Sequence, residues 1–263
     1  YVEVIKKAFS DNWIDVYPKK NKRDGGYCTC AYLAHPYIVI NYEGKLDDVS
    51  TLIHELGHAM HYYYAQNFNT YEDYNYSIFV AEVASQVNEI ILTNYMLNHT
   101  DNIEEKKYIL DSILQRFKAT MIRQTMFAHF EDNLHNKEMN GTVLTKELVQ
   151  KEYLDLNKLY FGPNVEVDED IKYECYRIPH FYYNFYVYQY ATGYAAALKI
   201  ANDIINKKDG ALENYIKFLK LGSTLDPVKS LKVAGVDIQS PSLYDEVFEF
   251  FDEKRKELES LYE

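Results

Sequence analysis

Two histidines and a glutamate lie within one short segment and could together serve a metal ion. The segment from residue 51 to residue 61 has the sequence TLIHELGHAMH and contains His54, Glu55 and His58. On a helix, residues four apart share a face, so both imidazoles can reach one ion. Glu55 follows the first histidine, where its carboxylate can contact a water on the metal without being a ligand. A core helix with two hydrogen-bonded histidines is the alternative that this motif alone leaves open.

A catalytic zinc needs a third protein ligand and an open position for water. The segment FVAEVASQVNE at residues 79–89 supplies a candidate, because it places Glu82 among apolar or small neighbours on the next predicted helix. A carboxylate in such surroundings needs a cation or a hydrogen-bond donor. Three polar residues of this helix are candidates for orienting the ligands: Ser85, Gln86 and Glu89. His61 is predicted to lie beside a groove or in the core, since a fourth ligand would close the site.

The elements that must position these residues are mostly helices. The hydrophobic pattern predicts helices at about 47–66, 76–98, 101–135, 145–160, 179–207, 210–221, 227–234 and 241–261. Residues 27–32 and 37–41 are rich in β-branched and aromatic residues and predict two strands joined by a turn. We therefore predict a mainly α domain over residues 1–263, with a small antiparallel β element at residues 26–42.

Composition excludes several classes of function. The chain has 28 Lys and Arg against 40 Asp and Glu, a net charge of −12, which argues against a nucleic-acid partner. Hydrophobic residues make up 47%, which argues against extensive disorder. No run of 18 apolar residues is present, so no membrane partner is expected. The odd count of three cysteines fits a reducing compartment, and we predict a cytoplasmic location.

Five motifs of the sequence together carry a resemblance to one known protein family. They are HELGHAMH at 54–61, FVAEVASQ at 79–86, WIDVY at 13–17, HPY at 35–37 and IPHFYYNFYVYQYATG at 178–193. This set resembles the thimet oligopeptidase and oligoendopeptidase F family, and most closely its bacterial oligoendopeptidase F branch. Members are roughly twice this length, so the chain resembles a C-terminal catalytic part. The resemblance implies that an N-terminal region of the same protein completes the substrate channel.

The resemblance also implies roles for individual residues. His54, His58 and Glu82 would be the ligands of one zinc ion per chain. Glu55 would be the general base, which takes the proton of the attacking water and passes it to the leaving amine. A late histidine and tyrosines would stabilise the oxyanion and hold the substrate. The best matches to them are His180, Tyr183 and Tyr190.

The helix predicted over 179–207 would place His180, Tyr183 and Tyr190 on one face. Neighbouring tyrosines (Tyr182, Tyr186 and Tyr188) leave the choice of tyrosine open. We predict a zinc endopeptidase that hydrolyses internal bonds of short oligopeptides. We expect the strand near residues 37–41 to offer its edge to the substrate backbone.

Two alternatives remain at this stage. One is a zinc carboxypeptidase on a similar helical scaffold, which would need a basic residue such as Arg177 or Lys199 to hold the terminal carboxylate. The other is a non-catalytic peptide-binding zinc module, against which the presence of Glu55 argues.

Overall fold

The computed structural model describes all residues from 1 to 263, and most of them are helical. The α-helices are α1 (Val2–Ser10), α2 (Leu46–Phe68), α3 (Ile78–His99), α4 (Ile103–Phe117), α5 (Arg123–Met139), α6 (Lys146–Phe161), α7 (Tyr188–Ile205), α8 (Ala211–Leu219), α9 (Pro227–Val233) and α10 (Pro241–Ser260). Three short strands, β1 (Ile14–Asp15), β2 (Tyr27–Thr29) and β3 (Tyr37–Val39), form one sheet. The predicted mainly α fold with a small β element is confirmed.

The chain divides into two compact units. Unit 1 comprises residues 1–114 and 193–263, and unit 2 comprises residues 115–192. The sheet and the α2–α3 pair belong to unit 1, whereas α5 and α6 belong to unit 2. The single catalytic domain over residues 1–263 stays a prediction. None of the helices combines the length and the apolar content that a bilayer crossing requires.

Both helices that carry the metal-site motifs begin with a side chain that accepts backbone hydrogen bonds. At α2, Asp48 Oδ2 accepts from the backbone N–H groups of Lys45 (2.9 Å) and Glu43 (2.8 Å), and the helix begins just after Lys45. At α3, the Ser77 hydroxyl accepts from the Phe79 N–H at 3.3 Å. These bonds satisfy amides that lack a partner inside the helix, which explains where each helix starts.

Helices α2 and α3 approach each other closely at Gly57. A Cβ atom there would lie 2.5 Å from the Cα of Ser85 and 2.6 Å from the carbonyl oxygen of Ala84. Ordinary contacts between such atoms are about 3.5–4.0 Å, so only glycine allows this approach. It brings the turn of α3 that carries Glu82 against the face of α2 that carries the two histidines.

The sheet differs from the prediction in one strand and one edge. The antiparallel pair is confirmed as β2 and β3, but β1 adds a third strand that pairs with β3 in parallel. The order is β1–β3–β2, so β3 is the central strand. The predicted free edge near residues 37–41 is therefore wrong, because both sides of β3 are hydrogen bonded. The Ile38 N–H, for example, donates to the Trp13 carbonyl at 2.8 Å.

The segment from residue 179 to residue 187 also differs from the prediction. A 3₁₀ turn spans Pro179–Tyr182, and α7 begins only at Tyr188. Between them, Asn184 and Phe185 adopt left-handed conformations with φ of 48° and 54°. Left-handed residues cannot continue a right-handed helix. The single helix predicted over 179–207 is therefore wrong for its first nine residues, which we call the bend segment (residues 179–187).

The remaining predicted helices are present, and three helical elements are additional: α1, a π-helical turn and a 3₁₀ segment. The helix predicted over 101–135 consists of α4, a π-helical turn over Lys118–Ile122, and α5. A 3₁₀ segment over Glu169–Arg177 was not predicted. In unit 2, its Glu174 accepts from the Tyr153 hydroxyl at 2.7 Å and pairs with Arg123 at 2.8 Å. These bonds fasten the 3₁₀ segment to α5 and α6.

Candidate metal centre and aromatic cluster

His54 and His58 lie one turn apart on α2, and their rings converge. The two Nε2 atoms are 3.1 Å apart, and the ring planes are nearly perpendicular, at 80°. Burial lowers the pKa of His58 below its ordinary value; Glu82 opposes this effect, and His54 adds to it. A neutral imidazole keeps a lone pair at Nε2, and this is the form that binds a metal.

Glu82 of α3 completes a three-donor group with these histidines. Its Oε2 atom lies 3.4 Å from His54 Nε2 and 3.6 Å from His58 Nε2, and one ligand atom from each residue lies within 4.8 Å of the others. Ligands at about 2.0–2.1 Å from a tetrahedral zinc are about 3.4 Å from one another. Two imidazoles and one carboxylate at these separations fit zinc in both chemistry and spacing.

Further side chains fix the orientation of these donors. His54 Nδ1 donates to Glu89 Oε1 at 2.5 Å, and the Ser50 hydroxyl donates to Glu89 Oε2 at 3.3 Å. Since a carboxylate accepts, the proton of His54 lies on Nδ1, and Nε2 keeps a lone pair that can bind a metal ion. On α3, the Ser85 hydroxyl donates to Glu82 Oε2 at 3.0 Å. Two of the three residues predicted to orient the ligands therefore contact them.

Glu55 lies beside this group but is not part of it. It is 5% exposed, and its Oε2 atom is buried without a hydrogen-bond partner. Burial raises the pKa of Glu55, with His54 lowering it and Glu82 raising it further. A Cβ atom at Gly26 would lie 3.2 Å from Glu55 Oε1, so glycine allows the chain before β2 to lie against this carboxylate.

Two further polar residues near the site are core residues. His61 is 1% exposed, and its ring stacks on Tyr76 with centroids 3.6 Å apart. Burial lowers the pKa of His61 to about 3, so the core alternative holds for this residue. Gln86, the third residue predicted to orient ligands, has a buried side-chain oxygen without a hydrogen-bond partner.

In unit 2, the bend segment and the start of α7 bring the predicted oxyanion residues together. The ring centroids of His180 lie 6.0 Å from Tyr183 and 5.9 Å from Tyr190, and the Tyr190 hydroxyl is 3.5 Å from His180 Nε2. Tyr186, which the sequence left as one of several neighbours, stacks on His180 at 5.4 Å. We call His180, Tyr183, Tyr186 and Tyr190 the aromatic cluster. The bend, and not a shared helix face, brings them together.

The match to a known protein family extends over nearly the whole chain. The profile of Peptidase family M3 matches residues 1–250. The chain belongs to peptidase family M3. This confirms the resemblance to the oligoendopeptidase F branch, because relatives with that name are 38–40% identical over all 263 residues. One of them is the plasmid-encoded oligoendopeptidase F of Lactococcus lactis, of which the match covers 44%.

Two other similar proteins define the extent of the match. Oligopeptidase PepF of Bacillus subtilis is 46% identical over 261 residues, which are 99% of this chain and 39% of the relative. The crystal structure of oligoendopeptidase-F from Enterococcus faecium superposes with a TM-score of 0.75 at 42% identity, covering 82% of this chain and 39% of that chain. This M3 chain thus spans about two fifths of the length of the curated relatives it matches.

Proposed function

We propose that this M3 chain is the catalytic part of a zinc-dependent endopeptidase that cleaves internal bonds of oligopeptides. One observation carries the proposal. The Nε2 atoms of His54 and His58 and a carboxylate oxygen of Glu82 lie 3.1–3.6 Å apart, with the buried carboxylate of Glu55 next to the first histidine. The names of the relatives, oligopeptidase and oligoendopeptidase, support the substrate class.

In this proposal, the metal and Glu55 share the chemistry. Zinc, when bound by the three donors, supplies a Lewis acid that makes water a stronger nucleophile at neutral pH. Glu55 accepts the proton of the attacking water and delivers it to the leaving amine nitrogen. Its burial supports this role, because a raised pKa makes a carboxylate a stronger base. Glu89 holds His54 through Nδ1 and keeps the ligand geometry fixed.

The aromatic cluster is proposed to supply a hydrogen-bond donor to the oxyanion. A tyrosine hydroxyl or a histidine N–H can stabilise the oxyanion that forms when water attacks the carbonyl. Tyr190 and His180 are the preferred candidates, because their polar atoms lie 3.5 Å apart. Tyr183 is 60% exposed and is better suited to contact the substrate.

For the substrate backbone, we propose the free edge of β2. The N–H groups of Ile38 and Ile40 donate to β1, so the backbone groups of Tyr37 and Val39 face β2. Their partners on β2 are Thr29 and Tyr27. The backbone N–H and C=O of Cys28 between them therefore point away from β3. An extended peptide could add there as a strand, and main-chain hydrogen bonds of this kind would bind peptides with little dependence on their sequence.

Two properties of the whole protein belong to the proposal. The larger size of the relatives supports an N-terminal region of the same protein that completes the substrate channel. Three free cysteines support a reducing, cytoplasmic environment.

The carboxypeptidase alternative gains no support from its candidate basic residues. Arg177 pairs with Glu174 at 2.6 Å. Lys199 pairs with Glu246 at 2.7 Å and with Asp203 at 3.3 Å. Each cation already has a carboxylate partner, so neither is available to hold a terminal carboxylate without breaking an ion pair.

The test is Glu55→Gln in the full-length protein, with zinc content and cleavage of an internally quenched peptide as readouts. The amide cannot accept a proton, so we expect kcat to fall by about 10²–10⁴ while one zinc per chain is retained. Asp47→Asn, at an exposed carboxylate in the first turn of α2, is the control and should remain active. Full activity of Glu55→Gln would refute the peptidase proposal. Mass spectrometry of the products distinguishes internal from terminal cleavage.

A further inference from the structure

Glu131 is a buried carboxylate in unit 2 whose hydrogen bond goes to the bend segment. It lies on α5 and is only 4% exposed. Its Oε1 atom accepts a hydrogen bond from the backbone N–H of Phe185. Its Oε2 atom is buried and has no hydrogen-bond partner. Burying a carboxylate is costly. The single hydrogen bond to Phe185 therefore indicates that Glu131 serves to fix the backbone at that residue.

The backbone that Glu131 binds is in an unfavourable conformation. Asn184 and Phe185 are consecutive left-handed residues, with φ of 48° and 54°. Asparagine tolerates this region, but a bulky residue such as phenylalanine rarely adopts it and needs surrounding contacts to hold it there. The bond from Glu131 holds the Phe185 backbone.

A second residue of α5 holds the side chain of Phe185. His135 lies one turn after Glu131, so both residues are on the same face of the helix. The His135 ring packs against the Phe185 ring with centroids 4.5 Å apart. One turn of α5 thus contacts both the backbone and the ring of this residue.

The bend determines where the aromatic cluster lies. His180 precedes the two left-handed residues, whereas Tyr186 and Tyr190 follow them, and all three rings are within 6 Å of one another. A right-handed conformation at Asn184 and Phe185 would extend the neighbouring helix and carry the two tyrosines away from His180. The contacts of His180 with Tyr186 and Tyr190 therefore depend on the bend.

We propose that Glu131 is a positioning residue of the peptidase: it holds the left-handed bend at Asn184 and Phe185 and thereby sets the geometry of the aromatic cluster. The inference rests on the proposed function, in which this cluster serves the substrate. Misplacing a catalytic group by about 1 Å costs on the order of 10²-fold in rate. Loss of the acceptor at Glu131 is expected to act on kcat through the cluster, with no change in the metal centre.

The test uses Glu131→Leu and Glu131→Gln in the full-length protein. Leucine removes the acceptor, so we expect kcat to fall about 10- to 100-fold with zinc content unchanged. Hydrogen exchange of the peptide that contains Phe185 should become faster. Glutamine keeps a carbonyl oxygen of similar reach, so this variant should recover most of the rate and of the protection.

Asn157→Ala, which leaves a cavity at a fully buried position, is the control for general destabilisation of unit 2. Asn157 is fully buried on α6, its Oδ1 atom lacks a hydrogen-bond partner, and its amide donates to the Tyr153 carbonyl. This variant should lower the melting temperature but leave kcat per folded molecule and the exchange near Phe185 unchanged. An equal loss of kcat in Asn157→Ala and Glu131→Leu would overturn the proposal.

A second pair of variants, made in a protein that carries Phe185→Gly, tests the backbone strain at Phe185 directly. Phe185→Gly keeps the N–H donor but tolerates the left-handed conformation, so the bend depends less on Glu131. We expect Glu131→Leu to cost less activity in this background than in the wild type, and an equal cost would contradict the proposal. An inactive wild-type protein would refute the proposed function. The exchange rates would then still decide whether Glu131 holds the bend.

Discussion

Replacing Gly57 with alanine should separate the α2–α3 pair at the point where the proposed metal ligands meet. The added Cβ would lie 2.5 Å from the Cα of Ser85, so α3 must recede by about 1 Å to reach an ordinary contact. Glu82 lies one turn before Ser85 and moves with it. Metal sites tolerate deviations of about 0.2 Å in ligand distance, so we expect zinc affinity to fall by about 10- to 100-fold.

The unfolding free energy of the metal-free protein should change by less than the overpacking cost alone, because two effects of opposite sign combine. Overpacking at the helix contact costs about 1–3 kcal/mol. Alanine is a better helix former than glycine by about 1 kcal/mol. We therefore expect a net loss of about 0–2 kcal/mol.

The assay is a competition for zinc between the full-length protein and a chromogenic chelator, together with thermal unfolding of the metal-free form. Gly193→Ala is the matched control, because a Cβ there would lie 3.9 Å from both Glu82 Cβ and Gln86 Oε1 and fits without movement. This control should keep its zinc affinity and gain about 0.5–1 kcal/mol from helix propensity. Unchanged zinc affinity in Gly57→Ala, with a raised melting temperature, would refute the reasoning.

Three further predictions concern single side chains of the full-length protein. Glu82→Ala should sharply lower zinc content after dialysis against a mild chelator, since two histidines alone bind zinc weakly; unchanged content would move the third ligand to Glu89. Tyr190→Phe should lower kcat by about 10²–10³ at nearly constant KM if its hydroxyl acts in the transition state; a rise in KM alone would assign it to substrate positioning. The pKa of Glu174 is lowered, because the hydrogen bond from Tyr153 and the charge of Arg123 outweigh the effect of burial. Glu174→Gln should therefore cost about 2 kcal/mol of unfolding free energy at pH 7, and the difference should shrink below about pH 4, as the wild-type carboxylate becomes protonated. A pH-independent difference in denaturant titrations would contradict this.

The sequence predicts that His54, His58 and Glu82 can come together, and the structure brings them together, because their arrangement depends largely on local periodicity. His54 and His58 share a face on any helix, whatever surrounds it. Glu82 stands out because a carboxylate among apolar neighbours needs a partner. The membership in peptidase family M3 agrees with the peptidase chemistry that these three residues predict.

The sequence does not predict features that depend on tertiary contacts. The left-handed backbone at Phe185 is stabilised by Glu131 and His135, which are about 50 residues earlier in the chain. The strand Ile14–Asp15 is too short to show an alternating pattern and exists through its pairing with β3. The close approach at Gly57 likewise requires knowledge of the facing backbone of α3.

The division of the chain into two units has a consequence for biosynthesis. Unit 2 interrupts unit 1, so residues 115–192 must be translated before α7 can pack beside α3, the helix that carries Glu82. Gly193 lies next to Glu82, and Asn69 at the end of α2 donates to the carbonyl of Lys220 at 2.7 Å. At about 5–20 residues per second, the ribosome needs several seconds between the ligand segment and α7. The two histidines and Glu82 therefore leave the ribosome before α7 and α8, which contact α3 and the end of α2. Stable binding of the proposed metal is expected to follow translation of these two helices.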